Sequence, residues 1–191
     1  MRIVSGFLKG KKINFLKSDT TRPLRDFVKE SIFNVIKHSN LVDVSFENAN
    51  VLDLYSGTGS FGIECISRGA KKTTFVENDK HALTILKKNI EQLKIEKKSM
   101  VFQTKIFTFL NQLNKINKYD IIFLDPPFEE NLFTEELKII KNSNMFKKNN
   151  IIIIHREDIS KDSLSEIINI ITIKKYGRSK VIFGCFNLDN V

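Results

Sequence analysis

Val51–Tyr55, Thr73–Glu77, Tyr119–Leu124 and Ile151–Ile154 are short runs of apolar and β-branched residues without helical spacing. Runs of that length read as strands covered on both faces, the habit of a parallel sheet. Between them the apolar positions change period. Ala82, Leu83, Leu86, Ile90 and Leu93 form a stripe at helical spacing, and Asp79 stands where its side chain can cap the first turn. Carried along the chain, this pattern predicts strands near 50–55, 72–77, 99–103, 119–124, 149–155, 169–176 and 180–187. It predicts helices near 24–38, 60–68, 79–93, 132–142 and 161–168, with a loop at Thr104–Phe107 after the third strand. Strand and helix alternate, which implies an α/β fold on a mostly parallel sheet. Gly177, between the last two strands, suits a hairpin turn, so the final strand should run antiparallel.

Composition adds a direction to this frame. With 191 residues the chain is expected to form one domain, 1–191, with a core over 24–191 preceded by a basic β extension over 1–23. The net charge is +9, and residues 1–30 carry eight basic side chains (Arg2, Lys9, Lys11, Lys12, Lys17, Arg22, Arg25, Lys29) against Asp19, Asp26 and Glu30. Charge gathered in that way suits a phosphate-binding arm, although a chain rich in Lys, Asn and Ile also carries positive charge without a partner. Gly6, Gly10 and Arg22-Pro23 break the segment into short strands and turns. Cys65 and Cys185 are too few for a disulfide framework, and His38, His81 and His155 lack metal-ligand spacing, so no metal is expected. No apolar run is long enough for a signal peptide or a membrane span. A cytoplasmic monomer is the expectation.

Two motifs carry chemistry. Ser56-Gly57-Thr58-Gly59-Ser60-Phe61-Gly62 follows the strand that contains Asp53, and Glu77 ends the next strand. Gly57, Gly59 and Gly62 match the spacing of a dinucleotide-binding turn, which by itself also fits NAD. Asp53 separates the two ligand types: its charge would face a pyrophosphate, but it welcomes the sulfonium and α-ammonium of S-adenosylmethionine. Glu77 can accept the ribose hydroxyls of either. The second motif is Asp125-Pro126-Pro127-Phe128, directly after the strand Tyr119–Leu124. A carboxylate, a stiff loop and an aromatic ring at a strand's end suit a flat nucleobase held by its exocyclic amine. A strand terminator with a chance acid is the plainer reading of that motif alone.

The order of these pieces resembles a class I S-adenosylmethionine-dependent methyltransferase of the amino-methylating type. Its flanks are similar to those of the bacterial 16S ribosomal RNA guanine-N2 methyltransferases. Arg2-Ile3-Val4-Ser5-Gly6, Lys9-Gly10-Lys11-Lys12, Arg22-Pro23 and Val28–Asn34 carry that likeness at the start, with Ser67-Arg68-Gly69-Ala70 and Tyr176-Gly177-Arg178-Ser179 further on. The resemblance implies a Rossmann-like fold with a seven-stranded, mostly parallel sheet and an antiparallel last strand. There are departures. Leu24 and Arg25 follow Arg22-Pro23 where the family usually continues with Thr, Lys29 stands at a commonly basic position, and His155-Arg156 occupies a place where the family often has Glu. A lone His at a strand end reads as a surface or cap residue, and no catalytic part is assigned to it.

The resemblance implies a cofactor site of Asp53, Tyr55, Gly57, Gly59, Glu77, Asn78, Ile106 and Asp125. Asp53 would face the methionine end, Glu77 the ribose and Asn78 the adenine. Lys105 has the wrong sign for the adenine amine, so the Ile106 N–H and an apolar wall are the expected contacts. Asp125 and the Pro126 carbonyl would accept the two N–H bonds of the guanine amine, with Phe128 stacked on the base. Arg2, Lys11, Lys12, Arg22, Arg25 and Lys29 would line the RNA side, and the partner would be ribosomal RNA or the small ribosomal subunit. Adenine-N6 or cytosine-N4 methylation is the nearest rival, because Asp-Pro-Pro-Phe does not tell these amines apart. An NAD-dependent oxidoreductase leaves Asp53 and Asp125 unexplained, and an inactive RNA-binding protein would have little reason to keep Asp53, Glu77 and Asp125. Replacing both Arg22 and Arg25 by Ala is expected to weaken RNA binding, lower its salt slope by about 2 and leave cofactor affinity unchanged. Unaltered RNA affinity at moderate salt in a filter-binding titration would count against the arm.

Overall fold

The computed structural model describes residues 1–16, 26–38, 43–112, 118–127, 132–160 and 163–187. The strands are β1 (Asn50–Leu54), β2 (Lys72–Glu77), β3 (Ser99–Gln103), β4 (Tyr119–Leu124), β5 (Phe146–Glu157), β6 (Asn169–Tyr176) and β7 (Ser179–Cys185). They form one seven-stranded sheet in the order β3-β2-β1-β4-β5-β7-β6. β1 to β5 pair in parallel, whereas β7 runs antiparallel to both β5 and β6. The fold is therefore the Rossmann-like α/β architecture expected, with its last strand reversed.

The helices are α1 (Asp26–His38), α2 (Ser60–Ser67), α3 (Lys80–Leu93), α4 (Ile106–Gln112) and α5 (Phe133–Asn142), with a 3-10 turn at Glu96–Lys98. Alternation along each strand sorts the core into layers. Val51, Ile121, Phe123, Ile151, Ile153 and Val181 pack under α1 and α2, where Phe33, Phe61 and Phe123 stack in series at centroid separations of 5.3 and 4.0 Å. Leu52, Leu54, Ile122, Leu124, Ile152 and Ile154 face α4 and α5. A third cluster joins α2 and α3 to Ile3, Leu8 and Ile13 of the N-terminal segment. No helix among the described residues is long and apolar enough to cross a membrane.

Two expectations are corrected. The predicted loop after β3 holds only at Thr104 and Lys105: Ile106 and Phe107 already belong to the first turn of α4, where Ile106, Phe109 and Leu110 are buried at helical spacing. The helix predicted over 161–168 is absent at the described positions: residues 163–168 are irregular apart from a turn at 165–167, and they bury Leu164, Ile167 and Ile168 against the α4–α5 side of the sheet. Those three positions follow helical spacing, but a single turn, in which the Ile167 and Ile168 N–H groups both donate to the Leu164 carbonyl, satisfies the same burial.

The N-terminal segment is a hairpin closed by one antiparallel bridge, Arg2 to Lys12. It docks on a buried acid. Glu64, on α2 and wholly inaccessible, accepts the Val4 and Ser5 N–H groups at 2.8 and 2.9 Å and the Arg68 Nε at 2.9 Å. The Lys29 ammonium of α1 lies 3.9 Å from the same carboxylate. One charge therefore fastens the hairpin, α1 and α2 together. Removing one partner of a buried charged cluster strands the others, at a cost of about 3–5 kcal/mol. Glu64→Leu is expected to lose about that much stability in urea titration and to expose residues 1–16 to limited proteolysis. Wild-type protection of the hairpin in the variant would refute its role as anchor.

Candidate active site

Parallel strands leave their carboxyl ends at one edge, and ligands settle where the strand order reverses. Here β2 and β3 extend the sheet to one side of β1, whereas β4 and β5 extend it to the other, so the reversal lies between β1 and β4. The loops after these two strands begin with Tyr55 and Asp125, respectively. The two motifs singled out in the sequence thus flank one crevice.

Three carboxylates line this edge of the sheet. Register places Asp53 opposite Phe75 and Phe123, so Glu77 and Asp125 sit about two residues nearer the rim. Asp53 is 1% exposed. Its Oδ2 accepts the Gly62 N–H at 2.9 Å, while its Oδ1 is buried with no hydrogen-bond partner. Burial, with smaller contributions from Asp125 and Glu77, holds its pKa well above the ordinary carboxylate range. Gly62 is required by this contact: a Cβ at that position would lie 2.8 Å from Asp53 Oδ2 and 2.4 Å from Phe75. Gly57 and Gly59 adopt φ of 55° and 87°, the left-handed turn that brings the backbone round to α2.

Glu77 is wrapped in backbone donors. Its Oε2 accepts the Gly57 N–H at 2.7 Å, and its Oε1 accepts the N–H groups of Asn78 and Asp79 at 2.8 and 2.7 Å. Asn78 is exposed beside it. Tyr55 has φ 58°, unusual for a side chain of its size, and its hydroxyl donates to Glu136 of α5 at 2.6 Å. Its ring therefore braces the turn against α5. Ile106 opens α4, so its N–H belongs to a first helical turn, where no intrahelical carbonyl can receive it.

The Asp125 loop is gripped from β5. His155 Nδ1 lies 2.9 Å from Asp125 Oδ1, and Arg156 Nη1 donates to the Pro127 carbonyl at 3.0 Å. Arg156 is 1% exposed, with its guanidinium 4.6 Å above the Phe133 ring. Reading His155 as a surface or cap residue missed this contact. The signal lay in the register: Leu124 pairs with Ile154, so the next residue on each strand must be neighbours. Phe128 lies outside the described residues, as do Arg22 and Arg25.

Lys29 is a further correction. Its side chain is inaccessible, reaches the Arg2 carbonyl at 3.2 Å and the Ser60 hydroxyl at 3.4 Å, and does not line an RNA surface. Burial pulls its pKa below the usual lysine value. Arg2, Lys11 and Lys12 are exposed on the hairpin. Met1 receives a contact from the Ser60 hydroxyl at 2.9 Å, which brings the hairpin's start beside the glycine turn. Phe27 is 70% exposed and meets Tyr176 edge-on at 5.9 Å. Tyr176 pairs with Ser179, and Ser179 pairs with Glu157, so this aromatic pair stands at the same edge as the carboxylates. Among the described residues, no three His, Cys, Asp or Glu side chains converge to hold a metal.

The donor set fits S-adenosylmethionine. An orphaned acceptor on Asp53, beside two further carboxylates, calls for a cationic group that donates hydrogen bonds. A diphosphate would add negative charge to that cluster.

A family model described as Conserved hypothetical protein 95 matches residues 1–185. A Haemophilus influenzae protein named "Ribosomal RNA small subunit methyltransferase D" is 35% identical over 158 residues, which is 82% of this chain and 79% of that relative. A Buchnera aphidicola protein of the same name is 30% identical over 191 residues, 100% of this chain and 93% of the relative. The solved structure of the Escherichia coli protein yhhF superposes with a TM-score of 0.84 at 25% identity and covers 99% of both chains.

The raised pKa of Asp53 gives a stability test. A carboxyl held neutral in the fold but ionised when unfolded favours the unfolded chain as pH rises above its ordinary range, at about pH 4. Ligand-free protein is therefore expected to lose stability as pH rises above that ordinary range, with a shallower decline in Asp53→Asn. That variant should also bind S-adenosylmethionine about tenfold or more weakly. Equal slopes in paired melting curves, or unchanged affinity by calorimetry, would contradict the description of Asp53.

Proposed function

The chain belongs to the Conserved hypothetical protein 95 family, and from that premise we propose that it methylates the exocyclic N2 amine of a guanine in the 16S RNA of the small ribosomal subunit, with S-adenosylmethionine as donor. The observation that carries the reading is Asp125 on the crevice beside the orphaned Asp53 carboxylate: an acceptor for an amine next to a pocket for a cation. The names of the Haemophilus and Buchnera relatives support ribosomal RNA as the substrate.

When bound, S-adenosylmethionine supplies an electrophilic methyl group on its sulfonium. Asp53 would hold the methionine ammonium, Glu77 the ribose hydroxyls, and Asn78 and the Ile106 N–H the adenine. Gly57 and Gly59 let the backbone approach closely, and Tyr55 keeps the turn in place. The guanine amine is a poor nucleophile because its lone pair is delocalised into the ring. Asp125 and the Pro126 carbonyl accept its two N–H bonds, which draws the nitrogen toward a tetrahedral shape and frees the lone pair. The nitrogen would bond to the methyl carbon as the methyl–sulfonium bond breaks and a neutral thioether leaves, and the methylated amine, by then acidic, would lose its proton to Asp125 or to water. Positioning and electrostatics supply most of the rate.

The base must leave its stack to reach Asp125, so a flipped or already unpaired nucleotide is the substrate. Phe128 would stack on it. Arg2, Lys11 and Lys12, on a hairpin that starts beside the glycine turn, would neutralise phosphates near the mouth, joined by Arg22 and Arg25. The exposed Phe27 ring at the same edge offers a stacking face to a neighbouring base.

The decisive assay is transfer of a radioactive methyl group to small-subunit RNA, bare and assembled with proteins, followed by mapping of the labelled nucleotide. Label on an adenine or cytosine would replace guanine with the rival amine. Asp125→Ala is expected to cut transfer by at least about a hundredfold, with S-adenosylmethionine affinity held within a few-fold. Near-normal turnover in that variant would defeat the assignment.

A further inference from the structure

Adjacent residues of a strand project to opposite faces of the sheet, and at the end of β5 both return to the loop that carries Asp125. His155 reaches it on the α1–α2 face, where its Nδ1 lies 2.9 Å from Asp125 Oδ1. Arg156 reaches it on the α4–α5 face and holds the Pro127 carbonyl at 3.0 Å. The two side chains of the His155–Asp125 pair are only 12% and 24% exposed, so water competes weakly for the contact.

We propose that His155 is a positioning residue for amine methylation. Its ring donates the Nδ1–H to Asp125 Oδ1 and so fixes the carboxylate's rotation, leaving Oδ2 to take the substrate N–H. Arg156 sets the loop from the other side of the sheet. The proposal rests on the reading of Asp125 as the amine acceptor. A carboxylate free to turn about its last torsion offers the amine a spread of geometries. One oxygen tied to a side chain of a packed strand removes that freedom before substrate arrives.

Two measurements test this. Imidazole nitrogen chemical shifts, recorded at about pH 8, where an ordinary histidine is neutral, report the tautomer of His155 whatever the substrate. The expected result is a proton on Nδ1 in the wild-type chain and a shift toward Nε2 in Asp125→Ala; the same tautomer in both would overturn the pairing. The second measurement is kinetic, on small-subunit RNA. His155→Leu is expected to lower kcat by about tenfold or more, with S-adenosylmethionine affinity within about twofold of wild type. His155→Asn, whose amide N–H can stand in for Nδ1–H, should recover most of the loss. Wild-type kcat in the Leu variant, or an Asn variant no better than Leu, would overturn the role. Should His155→Leu fail to fold, the Asn variant and the tautomer comparison still decide. A wild-type chain that methylates no ribosomal RNA would overturn the proposed activity instead, and the tautomer comparison would then judge the pairing alone.

Discussion

Three carboxylates at the ends of three adjacent parallel strands are the constraint around which the site is arranged. Glu77, Asp53 and Asp125 share one face of β2, β1 and β4, and bare like charges in that space would repel. Each is handled differently. Glu77 is met by three backbone N–H groups, Asp125 by the ring of His155, and Asp53 by one N–H with its second oxygen left without a partner. The uneven treatment creates selectivity. The acid that the protein satisfies least is the deepest one, and a cation that donates hydrogen bonds is the ligand that completes it.

A second buried acid, Glu64, links this crevice to the basic hairpin. It sits on α2, the helix that begins at the glycine turn, and binds the hairpin backbone at Val4 and Ser5. Lys29 approaches Glu64 and also touches Ser60 at the head of the same helix. The exposed cations Arg2, Lys11 and Lys12 are therefore carried by the element whose first turn shapes the cofactor pocket. Contacts to phosphate and contacts to cofactor would then share one rigid support, which suits a reaction whose rate depends on alignment.

The strands were legible because a strand buried on both faces is written as an uninterrupted apolar run, and Ile151–Ile154 or Tyr119–Leu124 allow little else. Asp53 and Asp125 were legible because a charge at the end of such a run is costly without a purpose. α4 was not, because Ile-Phe-Thr-Phe-Leu-Asn-Gln is short and rich in residues of modest helix propensity, and only packing against β2 and α5 makes it helical. Lys29 was misjudged by charge, although its position was informative. Lys29, Ile32, Phe33 and Ile36 follow the spacing of a buried stripe, so the ammonium lies on the inward face of α1 and needs Glu64 to meet it. His155 depended on strand register, which one sequence does not display.

The His155-Arg156 pair then reads as a consequence of strand pairing rather than as an oddity at a strand end. A loop of two prolines is stiff within itself, but stiffness alone does not aim it. Aim requires contacts from outside, and β5 is the neighbour in parallel register with β4. Because consecutive side chains leave a strand on opposite faces, two adjacent residues can hold one loop from both sides of the sheet. The division of labour follows from charge. Arg156, over the Phe133 ring, donates to the Pro127 carbonyl, while the contact to Asp125 comes from the imidazole of His155. A single imidazole N–H on Asp125 Oδ1 would fix direction and leave the other oxygen open to the amine's N–H bonds. An arginine in that place would hold the carboxylate more tightly and weaken it as an acceptor.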